Sequence, residues 1–297
     1  MNCLNCSKYL REAIDSVYAQ TYKNWEIIFW DNVSTDDSAE IAKNYDDKLK
    51  YFRGEQTVPL YAARNMALRH ARGEFIAFLD CDDIWLPAKL EKQMPLFSKE
   101  SVGLVYSNTM LLNQKTGNEK ILYKKKPPAG MIFRELLAGY FLSLETVVLR
   151  RKCFDMLSEW FDGRFNHVGD ADLFIRVAFD WELEYIDEPL AKWRMYEESW
   201  TWKKIGLFGT EWRMLLDKYS SLFEGFGLRY EKEIKKINAM ISYFEAVEEW
   251  KNNNRSRVRA IVGPHMLIKP KLFLVFLLSI LPFEQFVKLL RFFGKHP

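Results

Sequence analysis

Three carboxylates, Asp80, Asp82 and Asp83, close the stretch "EFIAFLDCDDIWLP" (74–87), directly behind an apolar run. Like charges held this close raise one another's pKa unless something positive sits among them. A hard divalent cation, Mg2+ or Mn2+, resolves the conflict, taking one or two carboxylates and completing its shell with phosphate oxygens and water. The cluster therefore points to a phosphate-bearing ligand, with the metal between protein and phosphate. Taken alone, the motif reads equally well as acids that face water and cap the following helix. A further acid, Asp31, ends a second apolar run, "WEIIFW" (25–30), and that repetition favours the ligand.

The surrounding elements must set these acids on one edge. From Ser7, residues Leu10, Ala13, Ile14, Val17 and Tyr18 recur at helical spacing, with Ser7 as the expected cap. The strand at 25–30 follows, then a helix in "VSTDDSAEIAKNY", the strand "LKYFR" (49–53) and the helix "PLYAARNMALRHA" (59–71). "EFIAFL" is the next strand, and "PAKLEKQMPLF" a helix broken near Pro95. Strands alternating with helices of this length predict an α/β fold with a mostly parallel sheet and helices on both faces. Ligands of such sheets bind beyond the carboxyl ends of the strands, where Asp31 and Asp80 stand. Residues 102–150 read as less regular, with "ETVVLR" (145–150) a strand candidate. "DADLFIRVAF" (170–179) is a helix with two acids in its first turn, and "LEYIDEPLAKWRMY" is extended again.

The chain has 297 residues, 48% apolar and 28% charged, enough for a large domain with a real core. A net charge of +3 is too small to make nucleic acid the expected partner. Cys3 and Cys6 form a CxxC with no second pair to complete a zinc site, so they read as reduced thiols suited to a cytosolic setting. The polar first residues lead straight into a helix, and no secretory leader is expected.

The stretches "YLREAIDSVYAQTYKNWEIIFWDNVSTDDS" and "ARNMALRHARGEFIAFLDCDDIWLPAKLEKQ" resemble the family 2 glycosyltransferases of GT-A fold, and the order and spacing match from residue 1 to about 200. The resemblance implies transfer of a sugar from a nucleotide diphosphate donor to an acceptor hydroxyl, with inversion and a divalent cation. It puts Asp31 on the donor's base, Cys3 near the base through its backbone, and Arg64 and Asn65 under the nucleotide. Asp80 and Asp82 form the DxD motif, Asp80 toward the ribose and Asp82 on the metal at the diphosphate. "GDADLFIRV" matches the motif carrying the catalytic base, which implies that role for Asp170, with Asp172 as the alternative. An N-terminal helix cap is the plain reading of the same residues. Trp85, Trp200 and Trp202 are aromatic surfaces on which a sugar of the acceptor can stack, although core packing explains any one of them as well.

Three departures stand out. Gly169 replaces the usual Glu before the base and removes a side chain near the acceptor. Tyr196, in "RMYEES", stands where a His often helps hold metal or diphosphate; a Tyr is a poor metal ligand but can hydrogen-bond a phosphate. A short apolar strand implied ahead of "MNCLNCSKYL" is missing or clipped, and an upstream extension is expected to add stability.

Residues 1–200 thus read as the transferase domain and 201–297 as a helical extension, with helices at about 201–219 and 229–253. "KLFLVFLLSIL" (271–281) is too short to span a bilayer. "FEQFVKLLRFF" puts Phe283, Phe286, Val287, Leu290 and Phe293 on one face, and Lys269, Lys271, Lys288, Arg291 and Lys295 surround the apolar patches. Residues 266–293 are accordingly expected to lie peripherally on the inner face of the cytoplasmic membrane, with packing on protein as the plainer alternative. A glycan or lipid-linked glycan acceptor fits that setting. A haloacid-dehalogenase-type phosphatase fails on the residues after Asp82, a nucleotidyltransferase on the lack of a Gly- and Lys-rich loop, and a dinucleotide oxidoreductase on the lack of GxGxxG. The remaining rival is a catalytically inactive homologue acting as a binding or scaffold partner.

Overall fold

The computed structural model describes residues 1–196 and 207–286. They fall into two compact units. The first comprises Met1–Phe133 and the described residues from Tyr140 to Tyr196, the second residues 134–139 and the described residues from 207 onward.

The first unit opens with a parallel sheet ordered β1 (Asn2–Cys3), β2 (Ile27–Asp31), β3 (Leu49–Arg53). Helices α1 (Ser7–Tyr18), α2 (Ser38–Lys43) and α3 (Leu60–His70) link its strands and lead on from it. The expected periodicity holds in α1, where Leu10, Ala13, Ile14 and Val17 are buried. Its cap differs from expectation. Ser7 is the first helical residue, and its backbone N–H donates to Asp36 Oδ2 at 2.9 Å, so a side chain from the β2–α2 loop does the capping.

The second sheet contains β4 (Phe75–Ala77), β8 (Val148–Arg150), β6 (Val102–Asn113), β9 (Glu182–Met195) and β5 (Ile84–Trp85) in that spatial order, with β7 (Glu119–Ile121) on β6. The long pair β6–β9 is parallel, whereas β8 pairs antiparallel with β4 and β6, and β5 with β9. The helices of this half include α4 (Lys89–Gln93), ending in a 3-10 turn that contains Pro95, α6 (Lys152–Asp155) and α7 (Gly169–Asp180), while α5 (Phe133–Ala138), between α4 and α6 in the chain, belongs from Arg134 onward to the second unit. Residues 102–113 were expected to be irregular. They form a strand whose first eight residues are all buried, so no polar alternation announces it.

A cavity of about 490 Å3 is lined by Ile27 and Ile28 of β2, by Ala67 and Leu68 of α3, and by Ile76 of β4 and Phe78. Met1 also lines the cavity; its ammonium donates to the Ile28 carbonyl at 2.8 Å, and burial lowers its pKa.

The second unit is helical: α8 (Leu207–Leu222), α9 (Phe226–Arg229), α10 (Glu231–Lys251), α11 (Arg255–Val262) and α12 (Pro270–Leu278). Trp250 is fully buried, with Val258, Val262, Leu272 and Val275 in the same core. Phe283 and Phe286 pack against Trp250, at ring centroids 5.7 and 4.5 Å away. These two rings, expected on a membrane face or packed on protein, are half-buried against the indole. Val287, Leu290, Phe293 and the basic residues among them lie outside the described residues, as do Trp200 and Trp202. Among the described residues no helix is long and apolar enough to cross a membrane.

Candidate active site

The chain runs from β4 into the loop bearing Asp80, Cys81, Asp82 and Asp83, whose charges are handled one by one. Asp80 Oδ1 accepts from Arg64 Nη2 of α3 at 2.6 Å, and the guanidinium is almost wholly buried. Asp82 Oδ2 accepts from Tyr196 Oη at 2.8 Å. Burial first, and then the neighbouring Asp80, raise the Asp82 carboxyl above its ordinary value. Asp83 turns inward, accepting from the Arg194 N–H at 2.9 Å, and burial pushes its carboxyl well above the usual carboxylate range. Arg194 also donates to the Asp82 carbonyl and to Glu12, fastening the loop to β9 and α1.

Asp83 therefore belongs to the core, and of the three acids only Asp80 and Asp82 stay partly exposed. Among the described residues no group of three or more His, Cys, Asp or Glu could hold a metal by itself. An Asp82 carboxylate under repulsion from Asp80 still fits a hard cation that takes one or two protein oxygens and completes its shell with phosphate and water. Asp82 is the ligand the residues offer, with Asp80 behind it on Arg64.

Asp170 lies in the first turn of α7. Its Oδ1 accepts from Tyr61 Oη and its Oδ2 from Tyr140 Oη, both at 2.8 Å. Burial raises its carboxyl, and the two phenols and Arg64 hold the rise in check. Arg64 and Tyr61, four and one positions into α3, thus connect Asp80 to Asp170, with the guanidinium 4.8 Å from the Tyr61 ring centroid. Neither Tyr61 nor Tyr140 had a signal in the sequence, because both are far from Asp170 along the chain.

The expected nucleotide residues divide. Asp31 ends β2, but it is fully buried. Its oxygens accept from the Ser34 N–H at 2.7 Å, Tyr51 Oη at 2.6 Å and Arg53 Nη1 at 2.5 Å. Burial would raise its pKa, and these donors bring it below the ordinary value instead. Arg53, which sequence reading missed, is half-exposed and covers the buried carboxylate. Cys3 pairs beside Asp31 across the sheet, but its carbonyl already accepts from the Asn32 N–H. A hydrogen bond with Cys81 brings the Cys3 thiol down to about 7, against its burial. All four cysteines are free thiols.

Asn65, expected under the nucleotide, commits its amide to the fold. Its amide donates to the Phe161 carbonyl at 2.7 Å and accepts from the Phe161 N–H at 3.0 Å, clasping that loop to α3. Trp85 is not an acceptor platform either. Its ring is buried, its Nε1 donates to the Glu145 carbonyl at 2.9 Å, and Lys89 Nζ lies 4.4 Å from its centroid.

Asp172 is likewise no alternative base. It is fully buried and pairs with Arg176 Nη2 at 2.7 Å, while Arg176 also donates to the Glu159 and Trp160 carbonyls. Asp172→Ala is expected to destabilise the first unit by about 3–5 kcal/mol, because it strands a buried guanidinium. Urea or thermal unfolding checks this, and activity per folded molecule should stay within a few-fold.

The family comparison agrees with this architecture. The glycosyl transferase family 2 model matches residues 1–158. The chain is 30% identical over 220 residues to the Escherichia coli UDP-Glc:alpha-D-GlcNAc-diphosphoundecaprenol beta-1,3-glucosyltransferase WfgD, covering 73% of this chain and 84% of that protein. Among solved structures it is similar to the mannosyltransferase PcManGT from Pyrobaculum calidifontis in complex with GDP-Man and Mn2+, with TM-score 0.61 and 14% identity over 90% of this chain and 74% of that one. It is also similar to S. aureus TarS 1–349 in complex with UDP-GlcNAc, with TM-score 0.58 and 17% identity over 88% of this chain and 82% of that one. Against the longer TarS chain it spans 48% of the length. The fold is α/β of the GT-A type. The chain belongs to glycosyl transferase family 2 and is a glycosyltransferase.

Proposed function

We propose that this glycosyltransferase moves a sugar, with inversion and in the presence of Mn2+ or Mg2+, from a nucleoside diphosphate donor to an acceptor hydroxyl. Asp170 takes the proton of that hydroxyl as its oxygen forms the bond to the anomeric carbon. The anomeric carbon's bond to the diphosphate breaks, and the electron pair leaves with the nucleoside diphosphate. Asp82 would hold the cation, which when bound would neutralise charge on the diphosphate. Arg64 adds a fixed positive charge behind Asp80 that needs no reorganisation during the reaction. Arg53 and Asp31 border the base, and Tyr196 orients the Asp82 carboxylate.

One observation carries this reading. The partly buried carboxylate of Asp170 and that of Asp80, just beyond β4, are tied to the same helix, through Tyr61 and Arg64 respectively. Acceptor activation and diphosphate binding thereby share one rigid support. The test is calorimetric titration of UDP and GDP with and without Mn2+, followed by product analysis with the sugar donor of the nucleotide that binds. Metal-dependent binding of one of them is expected. A folded protein that binds no nucleoside diphosphate overturns the reading and leaves the scaffold alternative.

For the acceptor we propose a lipid-linked glycan in cell-surface glycan assembly, reached at the inner face of the cytoplasmic membrane. WfgD is named for a diphosphoundecaprenol-linked substrate. On α12 and just beyond it, Phe273, Leu274, Leu277 and Ile280 are each about half exposed, beside Lys269 and Lys271. Apolar side chains edged by lysines suit an anionic interface. Among the described residues of 266–293, α12 is the part that carries this face. The double substitution Phe273→Glu, Leu277→Glu is expected to lower cosedimentation with phosphatidylglycerol vesicles at least ~10-fold, since each side chain is worth roughly 1.5–3 kcal/mol when buried. Nucleotide affinity should not change.

A further inference from the structure

We propose that Tyr61 and Tyr140 are positioning residues that aim the Asp170 carboxylate at the acceptor hydroxyl, and that residue 169 is glycine in order to seat the Tyr61 ring. The proposal rests on Asp170 as the base. Each carboxylate oxygen accepts one phenol at 2.8 Å, which fixes the plane of the group and leaves each oxygen a further lone pair for the incoming proton. The two phenols come from separate parts of the fold, Tyr61 from α3 and Tyr140 from the segment after α5, so the carboxylate cannot rotate without losing one of them.

Gly169 supplies the independent observation. A Cβ built there would lie 2.5 Å from Cδ2 and Cγ of Tyr61, well inside contact distance. The ring has little freedom to yield. It is nearly fully buried, the Arg64 guanidinium sits 4.8 Å from its centroid, and Phe161 packs 5.2 Å away. The backbone at Gly169 is not in the left-handed region, so no conformational need for glycine competes with this explanation. The side chain missing before the base therefore leaves no hole beside the acceptor. An aromatic ring from α3 fills it and delivers a hydroxyl to the carboxylate.

The groups facing Asp170 are Tyr61 and Arg64 from α3, Tyr140, and the Ala171 N–H of its own helix turn. Tyr123 adds its influence through Tyr140. Removing a donor from the charged form of an acid raises its pKa. Tyr61→Phe and Tyr140→Phe are therefore each expected to move the acid limb of the kcat–pH profile upward by about one unit. Most of kcat should return above the new limb, which a merely structural role does not produce. Gly169→Ala should behave like Tyr61→Phe, and in a Tyr61→Leu background it should cost little more, because the ring it displaces is gone.

An acid limb that stays in place in both folded Phe variants overturns the proposal, as does a Gly169→Ala effect that simply adds to Tyr61→Leu. A carboxyl-carbon NMR titration of Asp170 gives the same answer without turnover and still reads out if one variant loses activity. Asp170→Asn separates the two levels: if that variant stays active, the base assignment fails, and if it is inactive while the limb is fixed, only the role of the tyrosines fails.

Discussion

Asp170→Asn is expected to lower kcat by about 10^3-fold while leaving the donor KM within a few-fold. A positioned general base typically contributes 10^2–10^4 in rate. Asn keeps the size of the side chain and can still accept from one phenol, so the change removes proton acceptance more than packing. Steady-state transfer rates on protein of unchanged melting temperature check it. The wild-type pH profile supplies a second reading. Burial raises the Asp170 carboxyl, so the ionised, proton-accepting form is lost as pH falls through a value above the ordinary carboxylate pKa. The acid limb of kcat should accordingly lie above the ordinary carboxylate range and vanish in Asp170→Asn. Retention of a tenth or more of the wild-type kcat would remove Asp170 from the chemistry.

Asp82→Asn is expected to abolish metal-dependent nucleotide binding and to lower kcat/KM by about 10^2–10^3-fold, the several kcal/mol that a bound cation contributes at a diphosphate. Its effect on stability should have the opposite sign. A carboxyl whose folded pKa is raised costs stability increasingly as pH climbs past its unfolded value, and Asp82 is raised by burial and by Asp80. Asn keeps an acceptor for the Tyr196 hydroxyl and removes the repulsion, so the melting temperature at pH 7–8 should be equal or higher. Activity lost together with stability gained is the signature of a group kept for function. A variant that both unfolds earlier and still binds nucleotide with Mn2+ would reverse the assignment. Calorimetric titration and thermal denaturation in the same buffer decide it.

Local pattern determined a good deal by itself. Helical spacing in residues 7–18, the β-rich runs that became β2 and β3, and the acids at strand ends each depend on neighbours a few positions apart, and such periodicities survive in one dimension. The same holds for Asp31, Asp80, Asp82 and Asp170, which the motifs singled out and which the fold places at strand ends or in the first turn of α7. Tertiary structure decided what each of these residues touches. Asp36 rather than Ser7 caps α1, Asn65 and Trp85 turn to backbone carbonyls, Asp172 goes to Arg176, and Asp83 goes inward to Arg194. The partners of Asp170 lie 109 and 30 positions away and that of Asp82 lies 114 away. A buried carboxylate must find its donors wherever the packed chain brings them, and no periodicity links residues so far apart.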